Sequence, residues 1–231
     1  MSQKAPERAG GTSRRLLEFY RSPSAVKVRV ALNYKDLEYR TEEMMAADRE
    51  PMVEAAGWPM VPILIDGEVV VRESSAILHY LEANYRDRPS LTPASREEIR
   101  SAEALLLFLR PEVLRIQWRL EPEVRKPDEE RDMGRVKSSR IALTDALMRL
   151  EARLTGRDWL VGETMSIYDV ILACDLLPSH PPAEFVEQSP MWAFFDEHFR
   201  LDAERARIAN WIERVVAWDR PEGERPARDP A

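Results

Sequence analysis

Apolar positions along the chain change their period once. Leu16-Leu17-Glu18-Phe19-Tyr20 is an apolar run of strand length that stops at Ser22-Pro23-Ser24. Serine at an N-cap followed by proline at the first helical position is a start signal, because that position has no intrahelical N–H bond to lose. Val26, Val30 and Tyr34 then fall on one side of the predicted helix, with Lys27 and Arg29 elsewhere. Residues 37–44 alternate weakly, as a second strand would, and residues 45–60 show no clean period. The sharpest pattern spans 61–72. There Val61-Pro62-Ile63-Leu64-Ile65 and Val69-Val70-Val71 flank Asp66-Gly67, a pair suited to a type I′ hairpin turn. Pro62 has no N–H to give a ladder, so it belongs at the first position of its strand or outside it. Glu73-Ser74-Ser75 opens a helix carrying Ile77, Leu78, Leu81 and Tyr85 at helical spacing.

After the polar stretch Arg86-Asp87-Arg88-Pro89-Ser90 every segment reads helical. Ser95 opens a helix with Glu97 and Glu98 in its first turn, running toward Leu120, and Arg110-Pro111 predicts a kink or break in it. Residues 128–154 form a second, with Ile141, Leu143, Leu147, Leu150 and Leu154 as its apolar positions. Ser166 starts a third, Pro181 or Pro182 a fourth, and Leu201 or Asp202 a fifth that carries Ile208, Trp211, Ile212 and Val215. The expected fold class is α+β. An α+β domain over residues 15–86 is joined by a linker, 87–94, to an all-helical domain over 95–220, with flexible tails at 1–14 and 221–231.

Composition narrows the function classes. The net charge of −7 argues against a general nucleic-acid binder, which carries a basic surplus. One cysteine, Cys174, excludes an internal disulfide framework and a cysteine-based zinc cluster. It sits among apolar residues and reads as a buried spacer. His79, His180 and His198 are too scattered to form a ligand pattern, so no metal is expected. No apolar run approaches the length of a membrane span, and the polar, basic start has no apolar core of a secretory signal. A cytoplasmic setting is expected.

Three motifs, in order, resemble the glutathione transferase superfamily over about residues 15–218. Ser22-Pro23-Ser24-Ala25-Val26-Lys27-Val28-Arg29 is similar to the family's turn into its first helix, where a Ser, Cys or nearby Tyr activates the thiol. Val61-Pro62 followed by Glu73-Ser74-Ser75-Ala76-Ile77 is similar to its cis-proline strand and Glu-Ser pair. Gly162-Glu163-Thr164-Met165-Ser166-Ile167-Tyr168-Asp169 is similar to its buried N-capping box. The resemblance implies a thioredoxin-like N-terminal domain with a mixed sheet and an all-α C-terminal domain. It points to a cytosolic, serine-type bacterial member, active in detoxification. The implied ligands are glutathione as co-substrate and a small hydrophobic electrophile, with no metal and no membrane or nucleic-acid partner, in a homodimer.

The chemistry such residues serve is the making of a thiolate. A cysteine thiol with a pKa near 8.5 is only about 3% ionised at pH 7. Lowering that pKa by ~2 units brings the thiolate to roughly three quarters, each unit being worth about 1.4 kcal/mol. A hydroxyl that donates to sulfur and a helix N-terminus aimed at it both do this. Ser22 is the expected catalytic hydroxyl, with Ser24 and Tyr20 as the alternatives and simple helix capping as the bland reading. The resemblance further implies that Met60, Val61 and Pro62 border the bound peptide. The backbone of Val61 would pair with its cysteinyl unit like one more strand. Glu73 and Ser74, at a helix N-terminus, would hold the γ-glutamyl group. Ser166 and Asp169 are a folding element without a catalytic role.

Relatives often show Asn-Pro, then Gly and a polar side chain for the glycine carboxylate of glutathione. Here the stretch is Ala56-Gly57-Trp58-Pro59-Met60, which leaves that carboxylate without an assigned partner. Leu109, Val113, Ile116, Gln117 and Trp118 are candidates for a second-substrate pocket, with a core role as the commoner meaning of such a stripe. Two other functions stay open at this stage: a non-catalytic protein-binding or regulatory module, and a glutathione-dependent thiol oxidoreductase. Serine at position 22 argues against the last, since it forms no mixed disulfide.

Overall fold

The computed structural model describes residues 14–220 and Pro226. Both predicted tails therefore lie outside the described residues, apart from Pro226 and Arg14, which begins the first strand. The first half contains β1 (Arg14–Glu18), α1 (Pro23–Tyr34), β2 (Arg40–Glu43), α2 (Glu50–Ala56), β3 (Ile63–Asp66), β4 (Val69–Arg72) and α3 (Ser74–Asn84). Strand order is β2-β1-β3-β4, with β1 parallel to β2 and antiparallel to β3, and β3 antiparallel to β4. This is the mixed sheet of a thioredoxin-like domain.

Strand alternation divides the apolar residues between two layers. Leu16 and Leu64 belong to the main core with Val26, Val30, Ile77 and Leu81 of α1 and α3. Leu17, Ile63 and Ile65 pack on the other face against Met52 of α2. α2 was not visible in the sequence, because seven residues with one buried side chain give no helical period. The hairpin also differs from expectation. Asp66 pairs with Val69, so Gly67 and Glu68 form the loop, and of these only Gly67 has a positive φ, +65°. That is the requirement of a II′ turn rather than I′.

The second half is helical throughout: α4 (Arg96–Val124), α5 (Met133–Arg153), α6 (Ile167–Asp175), α7 (Ala183–Gln188), α8 (Pro190–Phe199) and α9 (Ala206–Val216). α4 starts with the capping box Ser95/Glu98 and runs through Pro111 without the expected break. The C=O left unpaired by that proline belongs to Leu107, which is 77% exposed, so water can satisfy it. On α5 the buried stripe is Val136, Ser139, Leu143, Leu147 and Leu150, whereas Ile141 is 55% exposed. Two positions from Leu143 is about 200° around the helix, which corrects the sequence assignment. Where one helix was expected after Pro182 there are two, since Ser189-Pro190 starts α8 anew.

α6 is buried along its whole length and begins with the predicted box. Asp169 accepts the Ser166 N–H at 2.9 Å, the Leu160 N–H at 2.8 Å and the Trp211 indole N–H at 2.9 Å. A single buried carboxylate thus ties the loop before α6 to α9. Burial pushes its carboxyl up, and the hydrogen bonds from Ser166, Leu160 and Trp211 oppose that shift.

α1 joins the two halves, and here the sequence pattern misled. Every residue from Ala25 to Tyr34 is buried, Lys27 and Arg29 included. Lys27 pairs with Asp175 at the end of α6, and Arg110 of α4 reaches the other oxygen of Asp175 at 2.8 Å. Asn33 donates to the Trp218 carbonyl at 2.7 Å, and Lys35 meets Glu82 at 2.8 Å. Removing one partner of a buried pair leaves the other charge uncompensated, at a cost of about 3–5 kcal/mol. Asp175→Asn should lose that much stability in urea denaturation, while Arg207→Gln, which breaks an exposed pair with Glu151, should lose less than about 1 kcal/mol.

Candidate active site

Sheet topology gathers the expected site residues on one edge. β1 ends at Glu18, and its neighbour β3, running the other way, begins at Ile63 opposite Leu17. Ile63 in turn faces Arg72, the last residue of β4. Hence the β1–α1 turn with Ser22, the Val61-Pro62 peptide and the Glu73-Ser74 start of α3 leave the sheet from the same side. The register alone requires it.

Ser22 is the N-cap of α1, extended at φ −71°, ψ 125°, with Pro23 next. Its N–H donates to the Phe19 carbonyl at 2.8 Å, and its carbonyl takes the N–H groups of Ala25 and Val26 at 2.9 and 3.0 Å. The hydroxyl makes no capping bond, unlike those of Ser95 and Ser166. A half-buried hydroxyl thus stands at a helix N-terminus with its bond to give unspent. Ser24, the first alternative, lies one residue inside the helix, also half-buried. Tyr20 is turned away, its hydroxyl toward Glu184 of α7 at 3.4 Å and its ring edge-on to Phe185. Burial, Glu184 and Asp219 all push its phenol up.

The Val61-Pro62 peptide is cis. It lies just before β3, whose ladder to β1 starts at Ile63, so Val61 keeps its backbone outside that register. Met60 is exposed. Glu73 is exposed with φ +68°, a left-handed conformation rare for a side-chain-bearing residue. Such strain, about 1–3 kcal/mol, gathers where function fixes the backbone. Ser74 follows, buried, as the first residue of α3, and no side chain caps that helix.

Two arginines at this edge went unnoticed in the sequence. Arg49, the N-cap of α2, donates to the Pro59 carbonyl at 3.0 Å and lies over the Phe19 ring. Arg72, at the end of β4, donates to the Ala56 carbonyl at 3.3 Å and lies over the Trp58 ring. Neither has a carboxylate partner among the described residues. Both flank the 56–60 stretch whose side chains offered no charge. No local motif announces them, since each reaches the site through tertiary contact. Lys27 and Arg29, two cations on α1 near Ser22 in sequence, are committed to carboxylates in the interior.

The candidate second-substrate stripe divides, and only three of its five residues are core. Leu109, Val113 and Ile116 are fully buried, Gln117 donates to the Asp175 carbonyl, and Trp118 is 72% exposed. Cys174 is buried too, its thiol pushed far up by burial, which makes it inert. Among the described residues no group of His, Cys, Asp and Glu is arranged to hold a metal, and no helix is long and apolar enough to cross a membrane.

Residues 16–89 match the family model for the glutathione S-transferase N-terminal domain. The first third of the chain is thus similar to a glutathione S-transferase N-terminal domain. A probable maleylacetoacetate isomerase of Vibrio cholerae is 29% identical over 170 residues, which is 68% of this chain and 77% of that protein. In fold, a tau-class glutathione S-transferase from mango, Mangifera indica, superposes with a TM-score of 0.69 at 18% identity, covering 89% of each chain. A glutathione S-transferase from Methylobacillus flagellatus with glutathione bound has a TM-score of 0.60 at 22% identity, over 86% of this chain and 98% of that one.

Beneath the β1–α1 turn of this glutathione transferase fold, Glu18 is 1% exposed against Arg29. Burial raises its carboxyl to about 7, with Arg29 pulling the other way. Because the folded value lies above the unfolded one, the contribution to stability is complete at low pH and is lost as pH rises from about 4.5 through about 7. Urea midpoints should therefore fall across that window in the wild type relative to Glu18→Gln, and the gap should be flat above it. A gap independent of pH would contradict the assignment.

Proposed function

We propose that the protein is a serine-type glutathione transferase, in which Ser22 holds glutathione sulfur as a thiolate for attack on a small hydrophobic electrophile. The observation that carries this reading is the uncommitted Ser22 hydroxyl at the start of α1, on the sheet edge shared with Val61-Pro62 and Glu73-Ser74. The hydroxyl donates one hydrogen bond to sulfur, and the positive end of the α1 dipole adds to it. Val61 clips the cysteinyl backbone. Ser74 and the first amides of α3 take the α-carboxylate of the γ-glutamyl group, and Glu73 meets its ammonium. Met60 and Pro62 border the peptide. Arg49 and Arg72 fill the vacancy left by the 56–60 stretch and take the glycine carboxylate.

The roles separate by function. Ser22 acts on the charge of the sulfur, so its loss falls on turnover, whereas the arginines hold a part of glutathione that does not react, so theirs falls on affinity. Retention on immobilised glutathione and conjugation of a generic aryl halide test the reading as a whole. Ser22→Ala should lower kcat by about a hundredfold with little change in glutathione KM. Unchanged turnover removes Ser22 from the mechanism. Arg49→Ala or Arg72→Ala should each weaken glutathione binding in calorimetry by roughly tenfold, the worth of a charge-assisted hydrogen bond, with kcat at saturation nearly unchanged. Unaltered affinity in both variants would refute the carboxylate assignment.

A further inference from the structure

We propose that Asp219, in the segment after α9, is a positioning residue for Ser22 and acts through Arg29; the inference rests on the glutathione reading above. Arg29 is the link. Its Nε and Nη2 each donate to one Asp219 oxygen at 2.7 Å, a fork that fixes the plane of the guanidinium. Its Nη1 donates to Glu18 at the end of β1, and its Cζ stands 4.7 Å from the centre of the Tyr20 ring. One buried cation therefore grips both neighbours of Phe19, whose carbonyl receives the Ser22 N–H. The turn's other side-chain hydrogen bonds are exposed: the Tyr20 N–H on Glu43 at 2.8 Å, the Tyr20 hydroxyl on Glu184, and Arg21 on Gln188 at 3.1 Å. Arg29 is the charged anchor from the interior, beside the apolar contact of Tyr20 with Phe185, and Asp219 sets its orientation.

Without the Asp219 fork, Glu18 is left as the carboxylate on Arg29, and the guanidinium swings toward it and away from the Tyr20 ring. Two effects on a bound thiol then oppose each other. Charged groups around the turn are Glu18 and Glu43 from the sheet, Arg21 in the turn itself, Arg49 at the start of α2, Glu184 from α7, and Asp219 and Arg29 themselves. Deleting a negative charge from that set favours the thiolate. A hydroxyl and helix end that no longer meet the sulfur disfavour it. Positioning requires the second to win, so the sign of the shift decides.

The experiment titrates the thiolate absorbance of glutathione bound to the full chain, alongside kcat and KM. In Asp219→Asn the thiol pKa should rise by about one unit, equivalent to tenfold less thiolate at a fixed pH well below it. The kcat should fall about tenfold while glutathione KM stays within about twofold. Asp219→Glu should restore part of both, and Arg207→Gln, at an exposed pair on α9, should match the wild type. A pKa that stays put or falls in Asp219→Asn overturns the proposal. Tyr20→Leu removes the ring under Arg29 and leaves every ion pair of Arg29 in place, so it answers the question even if Asp219→Asn does not fold. The same rise supports the link, and none overturns it. A wild type that forms no thiolate would instead bring down the glutathione reading itself, whereas a normal wild-type thiolate that neither variant moves removes only Asp219.

Discussion

Burying a helix on every side is costly when it carries charge, and α1 does so three times. Lys27, Arg29 and the capping Lys35 are all withdrawn from water. Each withdrawal is tolerable only because a carboxylate waits in a fixed place: Asp175 on α6, Glu18 and Asp219 on either side of Arg29, Glu82 on α3. The partners come from both halves of the chain. So the charges on α1 tie the end of α6, the segment after α9, the end of β1 and α3 to one helix. An apolar α1 of similar volume would pack about as strongly, so these pairs are not what makes the interface strong.

That arrangement serves the N-terminal end of α1. A hydroxyl that polarises a sulfur must be held to within a fraction of an ångström, and rigid elements do this better than loops. Ser22 sits on a short turn between the buried end of β1 and a helix buried from Ala25 onward. Pro23 spares the helix an N–H, and the two amides that do bond back use the Ser22 carbonyl, not its side chain. The result is a helix start that is stable without its capping hydroxyl. Ser166 shows the opposite use of the same residue type, with its hydroxyl committed to Asp169 and nothing left for a ligand.

Sequence reasoning recovered what is encoded locally. The turn at Ser22, the strand behind Pro62, the helix start at Glu73-Ser74 and the box at Ser166-Asp169 are short motifs whose spacing carries their meaning. The failures share a cause as well. Lys27 and Arg29 fall off the apolar side of α1 with no visible role, because their partners lie far along the chain, 148 residues away for Lys27 and 190 for Arg29 with Asp219. α2 is too short to show a period, and the II′ turn depends on which residues pair across the hairpin. Arg49 and Arg72 are ordinary surface arginines until the sheet brings both to the 56–60 stretch. Ile141 and Pro111 were misjudged for a related reason: each matters only by which side of its helix faces water.

The central claim is that glutathione sulfur rests on Ser22 while the peptide backbone runs along Val61. A crystal structure of the chain with glutathione tests it most directly. The account predicts sulfur within hydrogen-bond distance of Ser22 Oγ, the cysteinyl unit paired with the Val61 backbone, and the glycine carboxylate between Arg49 and Arg72. Glutathione absent at millimolar concentration, or seated with its sulfur away from Ser22, would contradict it.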